Sequence, residues 1–325
     1  MNDRPGDMVP PAAASPVTTS AKLRARLASA IDSDLAYSFR SNRVVVVAAL
    51  VTMVMLGGAC LAPLISPQNP YDLKALSLLD SNLPPSWIEG GDRRFVLGTD
   101  DQGRDILSTI LYGTRASVGI SVLSVILAVS IGVSLGLLAG YVGGWVDTLI
   151  MRVADVKLTF PAILIALLVN GVAQAAFKGR LAGAEFWVLV ASIGLSYWVQ
   201  YARTVRSMTL VEKNKEYVQA AQLIGMGKAA IMFRHVLPNV LSPVLVLATI
   251  NLALAIITEA TLSFLGVGLP STEPSLGTMI QIGNKYLFSG SWWMVAFPGL
   301  TLAVLVLAVN LLGDWLRDAL NPKLR

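Results

Sequence analysis

The sequence predicts an all-α, polytopic membrane protein, a transmembrane helical bundle of about six spans. Hydrophobic residues make up 54% of its 325 residues and charged residues only 14%, whereas soluble domains carry roughly 25% charged residues. The mean hydropathy is +0.65. Long apolar stretches recur along the chain at about the 20 residues that a bilayer requires. These observations exclude an ordinary soluble domain.

Six apolar stretches are predicted to span the membrane. The third is interrupted near its start by Lys157 and Pro161, and the fourth is short for a span. The predicted spans are Val44 to Ile65, Ala116 to Tyr141, Leu158 to Ala176, Phe186 to Ala202, Val240 to Ile257 and Trp292 to Leu312.

Positive charge predicts the orientation of these spans. If the N-terminus lies in the cytoplasm, most of the 25 Lys and Arg residues fall in cytoplasmic segments, as the positive-inside rule requires. Both termini are then predicted to be cytoplasmic, and the net charge of +5 follows from topology. No basic patch with interleaved aromatic residues stands apart from the membrane flanks, so nucleic acid is not predicted as a partner.

The predicted organisation has three parts. Residues 1–40 are rich in Pro, Ala, Ser and Thr and are predicted to form a disordered cytoplasmic tail. Residues 41–115 hold the first span and a long external loop, and residues 116–325 form the transmembrane domain. The apolar run at Val44 lies too far along the chain for a cleaved signal peptide and is expected to remain as a span. Cys60 is the only cysteine, so neither an intramolecular disulfide nor a cysteine-based metal site is expected.

A polar segment at residues 212–240 separates two apolar runs and is the most specific signal in the chain. Its spacing predicts a short helix, a break at Gly225 and a second helix. Ala220 and Ala221 would let a facing surface approach the backbone, and Pro238, after Leu237, would pre-set the turn into the next span. The segment is therefore predicted to dock a soluble partner. The lone histidine, His235, is interpreted as a structural polar contact.

This segment resembles the EAA loop of ATP-binding-cassette (ABC) importer permeases, and further blocks extend the resemblance over about residues 95–325. They are Leu97 to Asp100 with Gly103 to Asp105, Phe160-Pro161, Glu259-Ala260, Leu262 to Gly266, Pro274-Ser275 and Asn310 to Asp314. The chain is thereby similar to the second, C-type permease subunit of dipeptide, oligopeptide and nickel importers. Gln219 stands where the general EAA pattern has a glutamate, while Glu216 opens the segment; Leu276 replaces a common tryptophan.

The resemblance implies a type I ABC permease fold and a set of partners. These are a homologous permease that completes a heterodimer, two ABC ATPase subunits, an extracytoplasmic substrate-binding protein and membrane lipid. It implies that Glu216, Ala220, Ala221, Gly225, Leu237 and Pro238 dock the ATPase. No GxxxxGK[ST] phosphate loop occurs in the sequence, so ATP and Mg²⁺ are expected to be used by the partner ATPases. This chain is not predicted to be an enzyme, and no bound cofactor or metal is expected.

Ionisable and polar residues in or beside apolar stretches have separate interpretations. Arg152 and Asp155, three apart, are predicted to form a structural ion pair. Glu259 would either line the translocation path or support helix packing, and Asn251 is placed with it as a polar position that needs a protein neighbour.

Small and acidic residues give two more predictions. Gly132, Gly136 and Gly140, spaced by four, predict close helix packing. The aspartates at 100, 101 and 105 could suggest a cation site, but Arg104 between them favours a structured turn.

Two functional alternatives remain open in the sequence. The same machinery could import nickel or another small solute in place of peptides. More distantly, a secondary transporter or channel would use similar spans without any ATPase.

Overall fold

The computed structural model describes residues 34–72, 76–176 and 183–319. Contacts divide the chain into two units, Met1–Arg43 and Val44–Arg325. In the first unit, helix α1 (Asp34–Ser41) occupies the end of the predicted disordered tail, so the prediction of disorder up to residue 40 is wrong for its described part. Arg40 in the last turn suits the helix dipole. The rest of the predicted tail lies outside the described residues.

The second unit is a helical bundle whose described residues hold no sheet, only an isolated antiparallel bridge between Thr99 and Asp105. Its helices are α2 (Arg43–Cys60), α3 (Ala62–Ile65), α4 (Ile106–Val142), α5 (Gly144–Leu158), α6 (Ala162–Ala176), α7 (Glu185–Glu212), α8 (Glu216–Leu223), α9 (Lys228–Ile231), α10 (Leu237–Phe264), α11 (Leu276–Tyr286) and α12 (Trp293–Ala319). A π-helical turn, Met232–Val236, joins α9 to α10, and short 3₁₀ turns occur at Leu78–Asp80 and Leu287–Ser289.

Each predicted span overlies a helix, but the boundaries differ. Helix α4 begins at Ile106, ten residues before the predicted start, because the Asp105 side chain caps it by accepting a hydrogen bond from the Ser108 N–H at 2.8 Å. At 37 residues, α4 is about 55 Å long and exceeds the roughly 30 Å hydrocarbon core. It is therefore longer than one crossing of the hydrocarbon core requires.

The third predicted span, Leu158 to Ala176, lies almost wholly on α6, because α5 ends at Leu158. Helices α5 and α6 meet at an angle of 97° across a break of three residues that ends in Pro161. Proline lacks the N–H that would continue the ladder, and it disfavours the α conformation in the preceding residue.

By length and composition, four described segments could cross a membrane. They are α2, α4, α12 and the continuous stretch Lys228–Phe264; the bent pair α5 and α6 would be a fifth. Helix α7 covers the predicted fourth span and is 28 residues long, but it is not among these apolar segments. The prediction of about six spans is thus approximate, while the all-α class is confirmed.

Close packing of α4 against α7 forms the centre of the bundle. A Cβ added at Gly132, Gly136 or Gly140 would lie 2.5, 2.4 or 2.7 Å from atoms of α7. The prediction that these glycines form a packing face is confirmed. Without side chains at these positions, the backbones approach closely enough to bury Tyr201 and Val205 completely.

Helix α11, which the sequence did not predict, packs between α4, α10 and α12. Ser275 and Thr278 form a capping box at its N-terminus. A Cβ at Gly277 would lie 2.4 Å from the Ala260 carbonyl oxygen of α10. This short helix therefore binds three long helices into one body.

The long loop before α4 carries a buried ion pair in place of a cation site. Arg104 is 1% exposed, and its Nε donates to Asp100 Oδ2 at 2.6 Å. Its Nη1 donates to the Ser271 carbonyl at 2.8 Å. Asp105 is occupied as the cap of α4, so the interpretation of this block as a structured turn is supported by its contacts. Helix α4 starts directly after this turn.

Candidate docking site

The polar segment at residues 212–240 folds as predicted into helix, break and helix. Helix α8 ends before Gly225, whose φ of +83° lies in the left-handed region that glycine adopts without strain. Helix α9 begins at Lys228 and passes through the π turn directly into α10. Pro238 lies in the first turn of α10, so the expected turn at this proline is absent. The widened π turn precedes it, with the Leu237 N–H bonded to the Met232 carbonyl.

One face of α8 is part of the chain's own core. Val218 and Ala221 are 0% and 5% exposed and pack in a cluster that includes Ile231, Val236 and Val240. In this structure Ala221 therefore contacts the chain's own core, and its predicted role in docking stays a prediction. The cause is helical geometry, since residues three apart share a face and Val218 faces inward.

The opposite face of α8 is apolar and exposed. Leu223 and Ile224 are 89% and 81% exposed, and Ala220 and Gly225 lie exposed beside them. We call these four residues the outer face. Sequence reasoning missed Leu223 and Ile224, although two large apolar residues beside a glycine break in a polar segment were a usable signal. Such side chains exposed outside the apolar spans indicate an interaction surface.

The remaining predicted docking residues differ in their exposure. Glu216 is exposed in the first turn of α8. Leu237 is partly buried against the core cluster, and Pro238 is exposed.

A hydrogen-bond network links α8 to the helices on both sides. The Tyr217 hydroxyl donates to Glu212 Oε1 at 2.6 Å and accepts from Asn239 Nδ2 at 3.1 Å. Glu212 is the last residue of α7 and Asn239 lies in the first turn of α10. We call these three residues the Tyr217 network. Lys215 adds an ion pair to Glu212 at 2.8 Å.

The network fixes the protonation of its members. Tyr217 is 39% exposed, and partial loss of water around its hydroxyl, together with the hydrogen bond to Glu212, raises its pKa to about 12. Burial alone would raise the pKa of Glu212, but the hydrogen bonds from Lys215 and Tyr217 outweigh it and lower that pKa. At neutral pH the hydroxyl is therefore a constant donor to an ionised carboxylate.

A groove of about 650 Å³ runs beside α8. Its lining combines the end of α4, the turn after α7 and the polar segment, and includes Tyr141, Lys213, Gln222 and Lys228. The surface of the segment therefore has both an exposed apolar face and a groove.

Ion pairs of α5 differ from the prediction. Asp155 pairs with Arg203 of α7 and not with Arg152. The Asp147 carboxylate accepts hydrogen bonds from both Nε and Nη2 of Arg206, the latter at 2.6 Å. Because α5 lies against α7, arginines on the facing helix reach these carboxylates. The ion pairs therefore join two helices, whereas the predicted pair lay within one helix.

Glu259 and Asn251 are both buried inside the single chain, at 0% and 2% exposure. Glu259 Oε1 accepts from Ser263 Oγ at 2.7 Å, and Ser117 of α4 and Ser275 of α11 lie beside the same carboxyl. Asn251 lies beside the Tyr201 hydroxyl. Within the described residues, no group of three His, Cys, Asp or Glu side chains could hold a metal ion.

Comparison with known families matches most of the chain. Residues 132–325 match the family described as binding-protein-dependent transport system inner membrane component. Residues 33–85 match the N-terminal transmembrane domain of oligopeptide transport permease C.

Curated relatives agree with this assignment. The chain is 40% identical to the dipeptide transport system permease protein DppC of Haemophilus influenzae, over 89% of this chain and 94% of that protein. It is 43% identical to the DppC protein of Escherichia coli K12, over 88% and 91%.

A solved structure supports the fold alone. One chain of the MetNI methionine ABC transporter, in an inward-facing conformation, aligns with a TM-score of 0.51 at 17% identity, covering 66% of this chain and 96% of that one.

The family match and the curated relatives show that the chain belongs to the family of binding-protein-dependent transport system inner membrane components and is a membrane permease subunit.

Proposed function

We propose that this permease subunit serves an ATP-driven importer of di- or oligopeptides and that its outer face seats an ATPase subunit. The observation that carries the proposal is the exposed apolar pair Leu223 and Ile224, at the C-terminal end of helix α8, whose other face is buried. Full burial of a leucine or isoleucine contributes about 1.5–3 kcal/mol. We infer that the partner is an ATPase from the family to which the chain belongs.

The proposed complex has four further kinds of component. A homologous permease forms a heterodimer with this chain, and two ATPase subunits use ATP and Mg²⁺ on the cytoplasmic side. A substrate-binding protein docks outside, lipid surrounds the spans, and nucleic acid has no part. The chain itself performs no hydrolysis and binds no cofactor. Both termini and the polar segment lie in the cytoplasm of a bacterial cell.

Peptides are proposed as the substrate because relatives at 38–43% identity are named as dipeptide or di/tripeptide permeases. Nickel or another small solute is the alternative cargo. Since the binding protein selects the ligand in such systems, uptake of labelled dipeptide, competed by unlabelled peptide or by Ni²⁺, decides between them. Uptake of labelled Ni²⁺ without any uptake of labelled dipeptide would overturn the peptide proposal.

Substitution on the outer face tests the docking site. We expect Leu223→Asp, alone or with Ile224→Asp, to release the ATPase from the purified complex, because each aspartate would have to be buried against the partner. Retention of the ATPase on an affinity-tagged permease is the measurement, and ATP-dependent uptake should fall with it.

A matched control is Leu79→Asp, at a leucine that is 93% exposed in the long loop. This variant should retain the ATPase. Full retention of the ATPase by the Leu223→Asp, Ile224→Asp double variant would refute the docking site. Uptake by the chain without any ATPase would favour a secondary transporter or channel.

A further inference from the structure

We propose that the Tyr217 hydroxyl is a positioning group that transmits movement of the docking helix α8 to α7 and α10 together. The inference rests on the proposed docking function and adds a coupling role to a residue outside the outer face. Three features of the Tyr217 network support it.

Position is the first feature. Among the described side chains of α8, Tyr217 alone hydrogen-bonds to side chains of both flanking helices, Glu212 and Asn239. The apolar contacts of Val218 and Ala221 also hold α8, but such contacts are non-directional. A hydrogen bond weakens steeply when its angle changes, so the network is the direction-sensitive connection.

The second feature is a choice of acceptors. The Tyr217 hydroxyl lies 2.6 Å from Glu212 Oε1 and 3.4 Å from the His235 carbonyl oxygen. It has one hydrogen to donate. A sub-ångström displacement of α8 toward α10 would shorten the second contact at the expense of the first, so two arrangements of the same groups are available.

The π turn supplies the third feature. The His235 carbonyl lies inside the turn Met232–Val236 and already accepts from Asn239 Nδ2 at 2.7 Å. Single π turns within helices occur frequently at functional sites. The network thus connects the docking helix to the irregular turn at the base of a membrane-spanning helix, where a change of geometry would be passed on to α10.

The test uses the complete complex of two permeases, ATPases and binding protein in proteoliposomes, carrying Tyr217→Phe. This change removes the hydroxyl and keeps the ring. We expect ATPase retention and basal ATP hydrolysis to match wild type, while uptake per ATP hydrolysed falls about fivefold or more, the lower range of typical coupling effects. Tyr71→Phe in the long loop, where the ring packs on Tyr112, is the matched control and should change nothing.

Variants of the acceptor separate coupling from folding. Glu212→Gln keeps an oxygen acceptor and should retain much of the coupling, whereas Glu212→Ala should behave like Tyr217→Phe. Combining Tyr217→Phe with Glu212→Ala should add little to either change, as expected for partners in one interaction.

Two results would overturn the proposal. One is wild-type uptake per ATP in Tyr217→Phe; the other is a loss of uptake that merely follows loss of the ATPase from the complex, which indicates a structural role. Failure of the docking function itself is distinguishable, because Leu223→Asp would then retain the ATPase whatever Tyr217→Phe does.

Discussion

Gly225 and Gly227 lie two residues apart in the break between α8 and α9, yet only one of them requires glycine. Gly225 has a φ of +83°, and a Cβ there would strain the backbone although no atom lies within 4 Å. Gly227 has a φ of −61° and equally open surroundings. The difference between the two positions is therefore purely conformational.

We expect Gly225→Ala to destabilise the docking segment by about 1 kcal/mol, because left-handed backbone costs about that much in a residue with a Cβ. Gly227→Ala should be neutral or slightly stabilising. Limited proteolysis of the purified complex, read as the cleavage rate within residues 212–240, would compare them. Equal cleavage rates for the two variants would show that the break tolerates any residue.

Glu259 shows how burial decides between two interpretations of a charged residue. The sequence leaves a path-lining role and a packing role open, and the side chain is 0% exposed within the single chain, among hydroxyls of three helices. In this structure the buried carboxyl group is not accessible to a solute. The arrangement favours packing.

A packing role predicts different outcomes for two substitutions of Glu259. Glu259→Gln retains volume and a hydrogen-bond acceptor and should leave thermal unfolding of the complex almost unchanged. Glu259→Leu removes the acceptor from Ser263 and its neighbours and should cost about 1–3 kcal/mol, the penalty for buried polar groups left unpaired. A Glu259→Gln complex that is stable but loses uptake would point to the path-lining role.

At the scale of elements, the α4 and α7 pair was predictable in part. The four-residue spacing of Gly132, Gly136 and Gly140 indicates the packing face, because only small residues allow backbones to approach. The partner helix could not be deduced, since α7 carries no comparable small-residue pattern. Likewise, helical periodicity could have assigned Ala221 to the inner face and Leu223 to the outer face of α8. The bend between α5 and α6 was less predictable, because it depends on tertiary packing as well as on Pro161.

This packing predicts a strong effect of one methyl group. Gly136→Ala would place a Cβ 2.4 Å from the Ala202 carbonyl oxygen and 2.9 Å from Val205 Cβ, so the helices must separate. Overpacking of this kind typically costs about 1–3 kcal/mol. The unfolding temperature of the purified complex should fall, and Gly136→Val should lower it further.

The control is Gly171→Ala in α6, where no atom lies within 4 Å of the added Cβ. Alanine is favoured over glycine in helices, so this variant should match or exceed wild-type stability. If Gly136→Ala were as stable as Gly171→Ala, the close approach of α4 and α7 would not exist in the membrane.

For the whole molecule, composition was sufficient for the class and the approximate spans but not for the detailed shape. Apolar runs locate helices because a bilayer demands about 20 apolar residues. They do not reveal where a helix continues past the apolar run, as α4 does toward Ile106, or where a short helix such as α11 inserts between longer ones. Those features depend on caps and contacts between distant residues, such as Asp105 with Ser108 and Arg104 with Ser271.

Orientation is the property of the whole molecule that most directly joins fold to proposed function, because ATPases bind only if the polar segment faces the cytoplasm. Charge asymmetry predicts that this segment lies inside and the long loop outside. Cysteine labelling can test this in a Cys60→Ser background, since Cys60 is exposed and is the only native thiol. Glu89 in the long loop and Asn214 beside α8 are both exposed and suit the introduced cysteines.

We expect a membrane-impermeant thiol reagent to label Glu89→Cys in intact spheroplasts. It should leave Asn214→Cys unlabelled until the membrane is permeabilised. Ser20→Cys and Lys323→Cys should behave like Asn214→Cys, because both termini are predicted to share its side. Labelling of Asn214→Cys but not Glu89→Cys in intact cells would invert the topology, and the outer face of α8 would then lie on the side of the membrane where no ATPase is present.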